Sequence, residues 1–346
     1  MHQEYKLLSN HFFTFYVILP IIIYFPAFLF ASYNGGGWWA HWFVDIYVTS
    51  DAVLNVFLIN LFFGVSFYLL FRDRYVTLED NKNLFGIISS VGCSLFFASF
   101  LHFPVAYFKL LFFVLMFVSL KKSWVLLSYA LLSCVAISEL VLYGGRWAII
   151  FCLVIFTAGI KYGTVKSLLI VVFGLILSVI VLNPIKHGIY DLKLDVFETV
   201  NTISGHLSPI YMAAQFFYEE DFSNIDVLSE SLPLGKSLTG SGGLIKAAEN
   251  AVDLPDQADF GSSSSSINDV FGFLWCVLFV IAIKFINKIK FINEVVFFYF
   301  ISMGPMFFRR SLLNLINDVI VIIAFASTIY FIFYFLVKYF PRRFKR

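Results

Sequence analysis

Ten apolar stretches run through this chain, and the widest gap between them is a single acidic segment over residues 184–267. Of the 346 residues, 60% are hydrophobic and 13% are charged. A soluble fold of this length has no interior large enough to take that much apolar surface. The pattern therefore predicts a bilayer as the solvent for most of the chain, with aqueous chemistry concentrated in the acidic segment.

About 20 residues of helix cross the ~30 Å of hydrocarbon in a membrane. On that measure the predicted spans are 12–31, 52–71, 84–102, 104–120, 124–142, 147–161, 167–183, 268–286, 294–308 and 312–337. Helices are expected because each backbone N–H in lipid needs a partner within its own segment, and no barrel-like alternation of period two is present. The predicted fold class is all-α: a polytopic membrane protein with about ten transmembrane helices and one large external (periplasmic) loop containing amphipathic helices. Three regions follow: 1–183 with spans one to seven, 184–267 as the loop, and 268–346 with spans eight to ten and a basic tail. The fourth and sixth stretches are short, which leaves the count open by one.

Lysine and arginine set the orientation. With the N-terminus placed in the cytoplasm, the inner segments carry 16 of these residues and the short outer turns carry 3. That asymmetry predicts cytoplasmic termini and an external 184–267 segment. The first apolar stretch is too long for a signal-peptide core and lacks a small-residue cleavage site, so it reads as a retained helix.

The cysteines, Cys93, Cys134, Cys152 and Cys276, all fall within predicted spans, which argues against a disulfide framework. No Cys/His spacing suggests zinc, and no phosphate-cradling glycine loop or nucleic-acid motif is present. The expectation is no cofactor, no metal and no nucleic-acid partner. The cytoplasmic loops are too short for an ATPase or nucleotide-sugar domain. An enzyme built this way would work at the outer face on a substrate that arrives already activated, whereas a transporter would need a site at the midplane.

Within the loop, Val196, Val200, Ile203, Leu207, Ile210 and Ala214 recur every three or four residues, the stripe of an amphipathic helix. Gly205 and His206 interrupt it, and Ser208-Pro209 predicts the start of a second helix. His206 would then sit at an elbow, where its ring can take a proton from a sugar hydroxyl or serve only as a hydrogen-bonded structural residue. Gly235, Gly240, Gly242 and Gly243 make 233–244 read as a flexible connection, with a short helix expected near 244–251. The loop holds twelve acids against four lysines. Such a field repels free anions and suits a neutral sugar chain, although most of these acids read as simply solvated.

The outer rim carries the sharpest chemical signal. Arg146 follows Gly144-Gly145 in one tight turn, and Arg309-Arg310 occupy another. Their planar donor forks suit a pyrophosphate; the alternative is that they reach lipid headgroups. Below Arg310, the residues Asn314, Asn317 and Asp318 share roughly one side of the tenth span, with Asp318 ~12 Å down. A carboxylate at that depth must face protein or a water-filled cavity. With Glu139 and Lys109, it either locks the bundle by pairing or lines a substrate cavity. The serine run 262–266 reads as a tether or as a helix cap able to aim N–H groups at an anion. Trp38, Trp39, His41 and Trp42 look like an interfacial aromatic belt.

The tight-turn arginines, the large loop after the seventh span, and Ser265, Ser266, Asn268, Asp269, Phe271, Gly272 and Leu274 entering the next span together resemble the O-antigen polymerase (Wzy-type) family. Gly144-Gly145-Arg146-Trp147 is similar to that family's Gly-Arg turn. The resemblance covers the layout of most of the chain through short, degenerate motifs. Related O-antigen ligases often carry a His-Asn pair where this chain has Ser266-Ile267, which disfavours a ligase. The family often has an Arg at the start of the loop's second helix, where His206 stands here. The resemblance implies a lipopolysaccharide-biosynthesis glycosyltransferase that joins undecaprenyl-pyrophosphate-linked repeat units, with membrane lipids and a chain-length regulator protein as partners. Arginines would stabilise the departing pyrophosphate without a metal. A flippase of lipid-linked sugars is the competing class; two similar halves and charges deep in several spans would mark it.

Overall fold

In the computed structural model, the residues described are 12–34, 49–72, 165, 166, 169, 173, 210, 214, 223–240, 270–286, 292, 296, 297, 299, 300, 303, 304, 307 and 311–339. Among them the regular structure is helical throughout, with no strand. Six helices are continuous: α1 (Leu19–Asn34, preceded by a π-helical turn at Thr14–Ile18), α2 (Ser50–Phe71), α3 (Asn224–Ser231), α4 (Gly235–Thr239), α5 (Val270–Ile286) and α6 (Leu312–Tyr339). The helices α1, α2, α5 and α6 match the predicted spans to within a few residues. Among the described residues, one helix, Ser50–Phe71, is long and apolar enough to cross a membrane; shorter apolar helices are Thr14–Leu29, Val270–Ile286 and Leu312–Ala324.

The π turn has a cause in the sequence. Pro20 lacks an N–H, and its ring would press on the carbonyl four residues back, at Tyr16. The chain widens there, so that the Leu19 N–H reaches the Thr14 carbonyl five residues back. The Tyr16 carbonyl instead faces Gly64 of α2, where a Cβ would collide with it. The absence of a side chain at Gly64 is what lets α1 and α2 meet so closely.

These two helices run antiparallel. Phe12 meets Phe71 with ring centroids 5.1 Å apart, and Tyr24 meets Phe57 at 5.6 Å. The helical residues Val296, Phe297, Tyr299, Phe300 and Met303 complete this core and are all buried. Phe67, Phe71, Phe297, Phe300 and Phe307 surround Tyr16 and Phe12. The Tyr16 hydroxyl donates to the Phe300 carbonyl at 2.6 Å. Between α1 and α2, the Asn60 amide donates to the Tyr24 hydroxyl and, at 3.1 Å, to the Val56 carbonyl. A ring-filled interface with one polar link across it, from Asn60 of α2 to Tyr24 of α1, fixes these helices in register.

Phe273 of α5 packs on Phe62 and Phe63 of α2, 5.7 Å from each. Helix α5 in turn contacts α6, and α3 lies against both. The contacts of α3 fall near the starts of α5 and α6, so both helices begin at the end of the bundle where α3 sits. That arrangement positions the candidate site.

Candidate functional site

The segment 223–240 is a helical hairpin with local reasons for each of its ends. Ser223 and Asp226 form a reciprocal cap: the Asp226 N–H donates to Ser223 Oγ at 3.3 Å, and the Ser223 N–H donates to Asp226 Oδ2 at 3.0 Å. Helix α3 ends at Leu232, which is extended ahead of Pro233, as the residue before a proline prefers. Leu234 then takes a left-handed conformation, φ +61°, and Gly235 packs so tightly on the Ser229 carbonyl that no Cβ fits. Helix α4 closes on Gly240, also left-handed at φ +69°. The sequence reading made 233–244 a flexible connection. Over the described part, 233–240, it is instead this ordered turn and short helix, and its glycines serve a close contact and a helix cap.

The hairpin is seated on the bundle through the end of α3. Ser231 is fully buried and its Oγ accepts from Trp275 Nε1 of α5 at 3.1 Å. Asn317 Nδ2 of α6 donates to the Glu230 carbonyl at 3.4 Å. Each bundle residue lies five positions into its helix, ~7.5 Å along the axis. Val227 is buried beneath α3. Glu230 itself is 4% exposed, an exception to the expectation that the loop acids are solvated. Lys236 Nζ lies 3.2 Å from Glu230 Oε2, an ion pair that gives this buried carboxylate its countercharge. With Lys236 half-exposed, the pair is worth about 0–1 kcal/mol.

The polar stripe of the tenth predicted span reaches neighbours on two sides. Asn317 turns to α3, while Asp318, 6% exposed, accepts from the Tyr299 hydroxyl at 2.9 Å. Asn314 is half-buried. Ser311 caps α6: its Oγ accepts from the Leu313 N–H at 3.2 Å and its carbonyl accepts from the Leu315 N–H. Asp318 thus faces protein, as a carboxylate in that position must, and links α6 to the aromatic core. Asn317 Oδ1 and Glu230 Oε2 are buried without a hydrogen bond. Glu230 Oε2 keeps the Lys236 ammonium as its neighbour, whereas an acceptor left like Asn317 Oδ1 costs about 1–3 kcal/mol relative to a satisfied one.

Of the residues singled out from the sequence, Asn314, Asn317 and Asp318 are described, and they lie on one turn-and-a-half of α6. His206, Arg146, Arg309, Arg310, Ser265, Ser266, Asn268 and Asp269 lie outside the described residues. Ile210 and Ala214, the last members of the amphipathic stripe, are helical and buried. Sequence reasoning missed Glu230, Ser231, Trp275, Tyr299 and Ser311. The spacing Ser223-x-x-Asp226 before an apolar run signals α3. Nothing local marks Glu230 among twelve loop acids. Among the described residues no cluster of His, Cys, Asp and Glu is arranged to hold a metal ion.

No protein-family model, curated protein or solved structure matches this chain.

Proposed function

We propose that the protein is a multi-span membrane glycosyltransferase that joins undecaprenyl-pyrophosphate-linked repeat units at the outer face of a bacterial inner membrane. The observation that carries this reading is the seating of the acidic loop's helical hairpin on the polar stripe of α6, through Glu230 and Asn317. An aqueous loop held over a membrane-embedded polar stripe suits a substrate with a lipid end and a sugar end. Outward-facing apolar side chains on the helices support the bilayer setting: Phe25 at 62%, Leu278 at 58% and Phe331 at 69% exposure call for an apolar solvent.

In this reading the helices α1, α2, α5 and α6 are four of about ten spans, and both termini are cytoplasmic. Arg310, next in sequence to the Ser311 cap, and Arg146 bind the pyrophosphate and stabilise the charge that develops as it departs. An acceptor sugar hydroxyl attacks the anomeric carbon of the growing chain. The anomeric carbon–oxygen bond to pyrophosphate breaks, the new glycosidic bond forms, and the hydroxyl proton passes to a base, for which His206 is the titratable candidate.

The test is purified protein given lipid-linked repeat units. A ladder of longer lipid-linked glycans is expected, and Arg310→Ala and Arg146→Ala should abolish it while the protein still inserts. Arg→Lys at either position should recover only part of the rate, because a point charge replaces a two-pronged donor. Movement of unextended substrate across the bilayer, with no ladder, would make the protein a flippase. For topology, a cysteine at position 256 should react with an impermeant thiol reagent in intact spheroplasts; labelling only after lysis would overturn the orientation.

A further inference from the structure

Two leucines at the turn of the hairpin are at odds with water. Leu234 and Leu238 are 74% and 77% exposed, more than any other large apolar side chain among the described residues. They stand one helical turn apart, joined by the bond from the Leu238 N–H to the Leu234 carbonyl at 2.9 Å. Leu234 is also left-handed, a conformation that costs a leucine energy and a glycine almost none. An acidic loop thus carries a strained backbone and its largest apolar exposure at one place.

The turn is otherwise prepared for an apolar setting. The Gly235 N–H donates to the Leu232 carbonyl at 2.9 Å, and the Gly240 N–H donates to the Lys236 carbonyl at 3.1 Å. Thr239 Oγ1 donates back to the Gly235 carbonyl at 2.8 Å. Polar groups satisfied within the turn lower the cost of leaving water. Lys236, the charged residue of α4, has Glu230 as its countercharge.

The depth of the hairpin says what covers the leucines. Ser231 of the hairpin meets Trp275, five positions into α5. Along α5, Val270, Leu274, Leu278, Ile281 and Phe285 are all exposed, and their spacing of three or four makes one outward apolar stripe. That stripe begins at the first residue of the helix, ~7.5 Å before Trp275 along the axis. The hairpin therefore docks at a level where α5 already presents apolar side chains to its surroundings. Leu234 is three residues from Ser231, at most ~11 Å away, and so stays near that level.

We propose that Leu234 and Leu238 insert into the headgroup–acyl boundary of the outer leaflet, so that the acidic loop is tied to the lipid surface at the α3–α4 turn. Interfacial segments of this kind combine apolar side chains with a lysine whose stem lies along lipid while its ammonium keeps a polar partner. The anchor rests on the bilayer setting proposed above and not on the glycosyl-transfer chemistry.

The experiment uses the full-length protein, with its four cysteines replaced by alanine, in nanodiscs of phosphatidylethanolamine and phosphatidylglycerol. A nitroxide is attached at one introduced cysteine, Leu238→Cys or Leu278→Cys. Its collisions with oxygen, which concentrates in lipid, and with a water-soluble nickel chelate are measured by power saturation. Oxygen collisions should exceed nickel collisions about threefold at 238 and about tenfold at the deeper 278, whereas a label open to water shows the reverse. Adding Leu234→Gly should lower the ratio at 238 about threefold, even as the relaxed backbone steadies the hairpin itself. Lipid contact and local stability then move in opposite directions, which a purely structural role for Leu234 does not produce.

Lipid at 278 with water at 238 keeps the bilayer and overturns the anchor. Water at both removes the bilayer setting and the anchor with it. A label at 238 that is immobile and shielded from both reagents is covered by protein, either a second copy or another part of this chain, and also overturns the proposal. An unchanged ratio at 238 on adding Leu234→Gly overturns the paired insertion. Lipid at both positions, in a protein that makes no glycan ladder, keeps the anchor and removes the polymerase.

Discussion

The α1–α2 interface and the α3–α6 junction solve opposite problems. In the first, stacked and tilted rings fill the space, a prolyl-induced π turn is met by a glycine, and the buried Tyr16 hydroxyl has its partner at 2.6 Å. In the second, the polar groups are close-packed but incompletely satisfied, and the element laid over them is a two-helix hairpin of 17 residues, Ser223 to Thr239. The first region is built to stay closed. The second is joined, among the described residues, by single bonds from Asn317 and Trp275 and carries the Glu230–Lys236 ion pair. Apolar rings need only fill space, whereas a polar interface must also find a partner for each acceptor it buries.

The largest expected effect tests the rigidity of the frame. Gly64→Val drives a side chain into the Tyr16 carbonyl, which cannot withdraw because the same residue is tied to Phe300. It should cost about 3 kcal/mol, read as a lower midpoint in a detergent-unfolding titration. A midpoint equal to the parent's would mean that α1 and α2 part easily, and the contrast between the regions would disappear.

Asp318→Leu comes next. It strips the Tyr299 hydroxyl of its carboxylate partner and should cost about 2 kcal/mol by the same titration, with Asp318→Asn recovering most of it. If Leu instead stabilised the protein, the carboxylate would be held there against stability, and Asp318 would belong with the chemistry rather than the frame.

Ser223→Ala should cost about 1 kcal/mol, through the lost cap of α3. The loss should be local. Amide exchange is expected to speed up over 224–231 and to stay at the parent rate in α1 and α2. Exchange that rose equally in both regions would show the hairpin to be part of the frame.

The smallest effect is a gain. Leu234 is 74% exposed and left-handed at φ +61°, so Leu234→Gly removes strain without losing much burial. It should stabilise the hairpin by about 0.5 kcal/mol, seen as slower exchange over 235–239. A destabilised hairpin would indicate that the leucine side chain contributes more than its backbone costs.

Much of this was present in the order of residues. Apolar length marked α1, α2, α5 and α6, because a helix that must cover its backbone with apolar side chains needs a long uninterrupted run. The spacing of Asn314, Asn317 and Asp318 placed them on one side of α6, because the helical period is a local property. Over the described part, 233–240, the reading of a loose connection gives way to a turn and short helix, because glycine content alone does not separate a glycine that permits motion from one that permits close contact. Gly235 is the second kind, and only the Ser229 carbonyl above it shows that. Glu230 was one acid among twelve, and what sets it apart is the surface it is pressed against.

By itself, then, the sequence determined the all-helical character of the described residues, the positions of four apolar helices, and the polar stripe near the start of the last. These follow from periodicity, composition and local capping, which act over a few residues. The tertiary structure decided that the loop folds a capped hairpin onto that stripe, that Asp318 is matched by Tyr299, and that Asn317 reaches the Glu230 carbonyl. Those outcomes depend on residues 19 to 87 positions apart in the chain, and on which faces of three helices come together. No local rule carries that information, because burial and hydrogen-bond satisfaction are properties of the assembled surfaces.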